Sequence, residues 1–527
     1  MAVFVGSNNA DSKIRSNRVG FAVSTTNPGS AAEGDSYYNG TANALNVYDG
    51  SGWNAVGGGA GGNFEAVASG TIPNGATVVI NTDGTVGVVT QTGSADPSVG
   101  TPAVFLAANT RHTAAVYDSA NNKVVVFYRD QNNSQYGACV VGTVSGTSIS
   151  FNNPSIFNNA GTYHIAATYD STNEKVVVVY NDNGNNNYGT ARVGTVSGNS
   201  ISFGNENVFQ ATTTAQTAVT FDSSNGKVVI AYQDYTNSSR GKAVVATVSG
   251  TSISFGSATT FNSASTFYNA ATFDSSNNKV VIAYQDAGNT DKGTAIVGTV
   301  SGTSISFGSE VIFESGRTNW VSTAYDSTND KVVIAYEDNS NSSYGTAVVG
   351  TVSGTSISFG TPVVFESATT NHNKIVYDST KEKVVIAYRD NGNSFYGTVI
   401  AGTVSGTSIS FGTPVVYESA TVDHSSAAYD STNGKTIISY QDGGNSDYGT
   451  AVVVSTDSIT TNLTANNFIG FSDDNYTNGQ TAKIQIAGSV DDAQTGLTTA
   501  RTYYVQKNGS LATTADTPSV EAGTAVS

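Results

Sequence analysis

Cysteine and methionine each occur once in 527 residues, tryptophan twice, and leucine only five times. A single thiol, Cys139, excludes an intrachain disulfide and any cysteine-built metal site. It stands where other copies of an internal repeat carry Ala191, Ala243 and Ala295, so it reads as a small core residue rather than a reactive thiol. A chain with so little leucine and so much Val, Thr, Ile and Tyr excludes the all-α and α/β classes. Charge is scarce as well, at 12% of residues against a usual ~25%, which leaves solubility to Ser, Thr, Asn and Gly. With 23 Lys+Arg against 40 Asp+Glu and a net charge of −17, the chain lacks the basic surface that nucleic acid or anionic lipid requires. No apolar run is long enough to span a membrane. The first residues lack a basic start followed by an apolar stretch, so the expectation is assembly in a cytoplasm without a secretory leader.

Repetition fills the space these absences leave. An aromatic-Asp-Ser step recurs at Asp118, Asp170, Asp222, Asp274, Asp326, Asp378 and Asp430, 52 residues apart each time. Tyr128 to Tyr440 and Gly137 to Gly449 keep the same interval, seven times each, with no insertion. Each unit reads as four strands: a short first strand ending in Ala324-Tyr325-Asp326-Ser327, then Lys331–Tyr336, Gly345–Val352 and Ser356–Phe359. Asn-Gly, Asp-Ser and Ser-Gly steps supply the hairpin turns. The second strand is apolar at successive positions, as a strand buried on both faces must be, while the fourth alternates. Falling burial from inner to outer strand, in units of about 50 residues, predicts an all-β chain built round a β-propeller.

The ends of the array predict its closure. The seventh copy lacks its fourth strand, and Gly100–Phe105 copies Gly360–Phe365 upstream of the first. An N-terminal strand would thus complete the last blade, giving a seven-bladed ring over 98–457. An open stack would expose apolar blade faces at about 1.5–3 kcal/mol per large side chain. Around the ring, 1–62 reads as an attachment or oligomerisation module ending in the flexible Gly57–Gly62 run. Residues 63–97 read as a β-hairpin connector, and 458–527 as a small β domain with an Asn508-Gly509 turn.

The unit Val-Val-Ile-Ala-Tyr-x-Asp-x-x-Asn-x-x-Tyr-Gly-Thr-Ala-Val-Val-Gly-Thr-Val-Ser-Gly-Thr-Ser-Ile-Ser-Phe-Gly resembles repeats of virion structural and tail-fibre proteins of marine tailed phages. Residues 37–53, with Tyr37-Tyr38-Asn39 and Leu45–Trp53, look like a short module near the start of many phage fibres. Tyr503–Leu511, followed by Thr517–Val520, looks like a C-terminal segment of such proteins. Together these resemblances span nearly the whole chain. They imply a fibre, spike or similar appendage, often homotrimeric, assembled in the host cytoplasm and acting outside it on the virion.

The candidate site comes from the column that gathers every histidine of the chain. All four histidines share one position with three other planar side chains: His112, His164, Gln216, Tyr268, Trp320, His372 and His424. They lie just before each inner strand, near the mouth of a central channel, on the side where loops diverge among copies. Three readings stand: a semi-buried spacer between blades, a rim that stacks on glycan or touches a receptor, and a metal site. Metal is disfavoured because seven positions on a wide ring rarely converge to ~2 Å. A second series pairs Asp with Asn after the second strand, from Asp130/Asn133 through Asp234/Asn237 to Asp442/Asn445. Turn capping is its expected task, with calcium held by the same oxygens as the alternative; no other cofactor is expected.

A hydrolase of sialidase-like architecture would need clustered arginines and a carboxylate pair that stands out from the repeat. Arg129 and Arg389 share a repeat position, and Arg111 and Arg317 fall in interblade loops, which scatters them over blades one, six and five. No nucleophile elbow, phosphate loop or zinc signature is present. The expectation is therefore not an enzyme but a phage appendage that binds host-surface polysaccharide or protein and contacts other virion proteins. A free-standing lectin-like propeller and a glycan hydrolase are the alternatives.

Overall fold

Valine-rich segments with apolar side chains at successive positions form the central strands of every repeat. In Lys331–Asp338, Val332, Val333, Ile334, Ala335 and Tyr336 are all fully buried. Tyr344–Ser353 pairs antiparallel with it, and Ser356–Phe359 pairs with the far half of that strand through Val352 and Ile357. The short strand alternates exposed Ser with buried Ile357, as a half-solvated edge should.

The computed structural model describes residues 23–24, 36–39, 44–48, 51, 53–56, 63–92, 96–236, 238–456, 460–486, 491–515 and 518–525. Most of the expected 1–62 module, with its Gly57–Gly62 run, lies outside the described residues, as does Asn237.

One strand in each repeat is longer than the sequence reading expects. Val311–Asp326 runs for 16 residues because it serves two units in turn. Its first part pairs with Lys292–Ala295 of the preceding unit, and its second part pairs with Lys331–Asp338 of its own. The turn from one unit into the next is thus made inside a strand. The result is an antiparallel series of 28 strands, set as repeated four-stranded units in a ring.

At the two ends of the series, Val454, Ser455 and Thr456 pair with Val99, Ser98 and Pro97. Ala103, Val104, Leu106 and Asn109 pair with Ala451, Thr450, Gly449 and Tyr448. The strand Pro97–Val99 takes the fourth-strand place beside Tyr448–Thr456.

The repeated glycine of the third strand makes room for an aromatic ring. A Cβ on Gly449 would stand 2.4 Å from Phe105 Cε2, so only glycine lets that ring lie against the backbone. Phe105 then stacks on Tyr128 at 5.2 Å, and the whole tyrosine column from Tyr128 to Tyr440 is fully buried. Cys139 sits in the same interior beside Phe127 and Phe157, its thiol pushed up by burial.

The Asp-Ser turns are held from within. Asp326 Oδ1 accepts the backbone N–H groups of Thr328 and Asn329, each at 3.0 Å, and Oδ2 accepts Asn329 Nδ2 at 2.9 Å. With Asp326 only 1% exposed, Asp326→Ala strands three donors. Urea unfolding is expected to show a loss of about 2–3 kcal/mol.

A second compact unit comprises 1–94 and 458–527. Here the structure departs from a separate connector and C-terminal domain. Asn63–Val67, Thr77–Ile80 and Val86–Val88 share one five-stranded sheet with Phe468–Ser472 and Thr481–Gln485. Phe64, Ile72, Val78, Val86, Ile469 and Ile484 form its core. Neither segment has enough apolar surface to close a core alone, and each supplies the other's face. Thr502–Val505 forms a smaller sheet with Leu511–Ala512 and Glu521–Thr524. Among the described residues no helix is long and apolar enough to cross a membrane.

Candidate functional site

Each long strand carries a bulge where it enters its own unit. Arg111 pairs with Arg129 and Ala114 with Phe127, so three steps on one strand face two on the other. The same shift recurs at all seven copies. The residue in the bulge is the candidate column, within the strand rather than before it. Its backbone is left-handed throughout: φ is 51° at His112, 48° at His164, 50° at Gln216, 52° at Tyr268, 50° at Trp320, 53° at His372 and 50° at His424. That conformation costs a side-chain-bearing residue roughly 1–2 kcal/mol, and glycine is the usual occupant of a bulge of this kind. The chain has 56 glycines and places none there.

The side chains of this column meet one another. Ring centroids lie 5.9 Å apart for His164 and His112, 5.0 Å for His112 and His424, and 5.6 Å for His424 and His372. Trp320 approaches His372 at 4.1 Å and Tyr268 at 5.1 Å. Gln216 joins by accepting the Tyr268 backbone N–H at 3.0 Å. The backbone carbonyls of the column bind the adjacent unit: Thr113 Oγ1 donates to His424 O, Thr217 Oγ1 to His164 O, and Asn269 Nδ2 to Gln216 O. All seven predicted site residues are thus brought into one girdle.

Two further columns flank the girdle, one at position 111 and one at its cross-strand partner 129. Here the copies differ in charge. Gln285 Nε2 donates to Asn319 Oδ1 at 3.1 Å, and Glu337 accepts from Asn319 at 3.4 Å and Asn371 at 3.0 Å. Asn371 Oδ1 accepts from Arg389 Nη2 at 2.6 Å, and Arg389 Nη1 donates to Asp423. His372 Nε2 donates to the same carboxylate at 3.0 Å. A polar chain therefore crosses three units from Glu337 to Asp423.

Unit one is different. Arg129 is 4% exposed, lies 4.4 Å over the Tyr163 ring, and has no hydrogen-bond partner at Nε or Nη1. With its amide oxygen turned to face the two guanidinia, Gln131 accepts from Arg129 Nη2 and Arg111 Nε, each at 3.1 Å.

Burial sets the protonation states. It pushes His112 well below the usual imidazole range, with His424, Arg129, His164 and Arg111 adding to the effect. His164 falls to about 4 and His424 to about 3, for the same primary reason. Burial also lowers His372, against the pull of Asp423. Burial opposes the charge of Asp423, but the hydrogen bond from His372 and the charge of Arg389 hold its carboxyl low. Burial raises Glu337 despite its bonds to Ser343, Asn319 and Asn371.

Sequence reasoning placed Arg111 in a loop and scattered the arginines. The structure pairs Arg111 with Arg129 across adjacent strands of one unit. It also reveals Glu337 and Asp423 as carboxylates of the inner layer that no other copy repeats. The signal is divergence within strands: Glu337 lies in a column that varies among copies between the constant Tyr336 and Asp338 columns, and Asp423 in a varying column beside that of the histidines. Of the Asp/Asn loops, Asp182 caps a short 3-10 turn by accepting Gly184 N–H at 3.0 Å, and Asp286, Asp338, Asp390 and Asp442 do likewise. Asp234 instead binds Lys242 at 2.7 Å. Among the described residues no three His, Cys, Asp or Glu side chains are grouped to hold a metal ion.

No family model matches the chain, and no curated protein matches it. Among solved structures it is similar to a leech intramolecular trans-sialidase, at 10% identity and a TM-score of 0.40, covering 68% of this chain and 69% of that one.

Proposed function

We propose that the ring is a seven-bladed β-propeller, closed by Pro97–Val99 and Ala103–Asn109, that displays its axial girdle to a saccharide on a host surface. One observation carries the binding reading. Seven bulges adopt a backbone that favours glycine, and every one bears a planar ring or amide instead. Strain kept at a position where a simpler residue would relieve it points to a use for the side chain. Histidine, tyrosine and tryptophan faces stack on sugar rings, and the flanking amides and charges fix orientation.

The phage reading rests on the resemblance of the repeat and of both terminal segments to virion and tail-fibre proteins. In it the protein is a homotrimeric appendage, assembled in the host cytoplasm, held to other virion proteins by 1–62 and acting outside without turnover. Mass spectrometry of purified particles tests the placement. A glycan array of the full chain tests the binding: retention of one saccharide class, lost in Trp320→Ala, is the expected result, and a blank array would overturn it.

A hydrolase is the second reading, favoured by Glu337 and Asp423, whose carboxyls are displaced in opposite directions. Such a split is what an acid and its partner need. Loss of the bound saccharide with time, abolished by Glu337→Gln, would establish it over adhesion.

A further inference from the structure

Two arginines directly opposite each other on neighbouring strands should repel, and this chain carries a net charge of −17. Yet Arg111 and Arg129 face each other with no carboxylate paired to either among the described residues. The sixth repeat shows what the fold does with the same charge when it is to be neutralised. Arg389 occupies the position of Arg129, and there the facing column supplies Asp423, with Asn371 and Asn391 taking the remaining donors. In the first repeat that facing residue is Tyr163, which offers only its ring. The Asp423 position itself is filled by Arg111 in unit one.

Gln131 marks what is missing. A single neutral oxygen bridges both guanidinia at 3.1 Å, while two nitrogens of Arg129 stay without a protein partner. Arg111 is exposed and Arg129 buried, so one charge faces solvent and the other lies fixed behind it. His112, His164 and His424 adjoin this corner as neutral rings and bring no negative charge. Burial and the neighbouring Arg111 both press against the charge of Arg129. An anion would relieve both.

We propose that Arg111 and Arg129 form a seat for one oxyanion, a carboxylate or sulfate carried on a saccharide, which takes the place of the Gln131 amide oxygen while the sugar lies against the histidine arc. Planar guanidinium forks match both oxyanions in geometry, and a low-dielectric floor strengthens the pairing. The proposal rests on the adhesive reading and narrows it to acidic glycans.

Titration of the full chain with galacturonate, galactose 6-sulfate, galactose and inorganic sulfate tests it. Galacturonate or galactose 6-sulfate should bind at least tenfold tighter than galactose, and the stronger of the two identifies the oxyanion. Arg111→Gln, at an exposed position, should weaken that binding at least tenfold without shifting the melting temperature, and Arg129→Gln should do the same if it folds. Gln131→Ala should tighten it. Arg317→Gln, on a distant repeat, should leave it unchanged.

Galacturonate and galactose 6-sulfate both binding no tighter than galactose, or no effect of Arg111→Gln on the stronger of the two, would overturn the seat while leaving neutral-glycan adhesion intact. Inorganic sulfate binding as tightly as the sugar acids would overturn its assignment to a saccharide. Arginine-dependent binding of galacturonate alongside a blank polymer array would support the seat and overturn the adhesive reading.

Discussion

Acidification from pH 7 to pH 5 should cost the repeat ring about 2 kcal/mol for each of His164 and His424, with His112 and His372 adding in the same direction. The sign follows from burial. Unfolded, each imidazole takes up a proton below about 6.5; folded, His164 resists until about 4 and His424 until about 3. The unfolded chain therefore binds more protons throughout that window, and stability falls as pH drops through it. At pH 5 the unfolded imidazole lies about 1.5 units above the solution pH, at ~1.4 kcal/mol per unit.

The charges around the girdle reinforce the trend. Arg111 and Arg129 oppose a proton on His112 and His424, and Arg389 and Lys374 oppose one on His372. Asp423 is the one neighbour that favours it. Glu366 and Glu418 act in the opposite sense, since burial raises their carboxyls and their contribution is lost as pH rises through the folded value. A histidine substitution separates the two effects. His424→Gln, which installs the residue that Gln216 already provides at an identical backbone angle, should recover about 2 kcal/mol of the pH 5 loss in urea titrations at pH 7, 6 and 5. A pH slope unchanged by His424→Gln and His164→Gln would mean that these rings take up protons freely in the folded ring.

Much of this architecture was legible because the repeat is a strong physical signal. Val332–Tyr336 announces a strand buried on both faces, Ser356–Phe359 an edge, and an unbroken 52-residue interval a single unit copied. The histidine column was legible too, because four rare residues fell in one register. Its conformation was not. Nothing in the residues around His112 signals a left-handed bulge, since the usual marker is glycine and the chain withholds it there. The long strand was hidden for a related reason: only its end at Ala324-Tyr325-Asp326 reads as a strand, because the bulge at Trp320 shifts the register between its two parts. The arginine pair was hidden by topology. Arg111 and Arg129 are far enough apart along the chain to look unrelated, and only strand pairing sets them face to face. The sheet shared by 63–88 and 468–485 is not legible in the sequence because Thr77–Val88 already reads as a hairpin complete in itself.

Phe105→Ala and Phe313→Ala should destabilise the protein equally, by about 3–5 kcal/mol each, and that equality is the test of a closed ring. The two phenylalanines occupy the same repeat position and the same environment, each 6% exposed. Phe105 lies 5.2 Å from Tyr128 and 5.6 Å from Phe151; Phe313 lies 5.2 Å from Tyr336 and 5.8 Å from Phe359. Beneath them are Gly449 and Gly293, where a Cβ would meet the ring at 2.4 Å and 2.5 Å. Their ring contacts match, and connectivity is the difference that the test reads. Phe313 joins neighbours in sequence, whereas Phe105 rests on a strand from the other end of the array. In an open array that first strand would fray, its phenylalanine would already be partly solvated, and its truncation would cost far less than Phe313→Ala. Gly449→Val serves as the companion variant, because a Cβ there clashes with Phe105 and Thr110 when the strand that carries both is seated. Loss of several kcal/mol at Phe313 with under about 1 kcal/mol at Phe105 would describe a spiral, and the girdle would then have no common axis around which to gather a ligand.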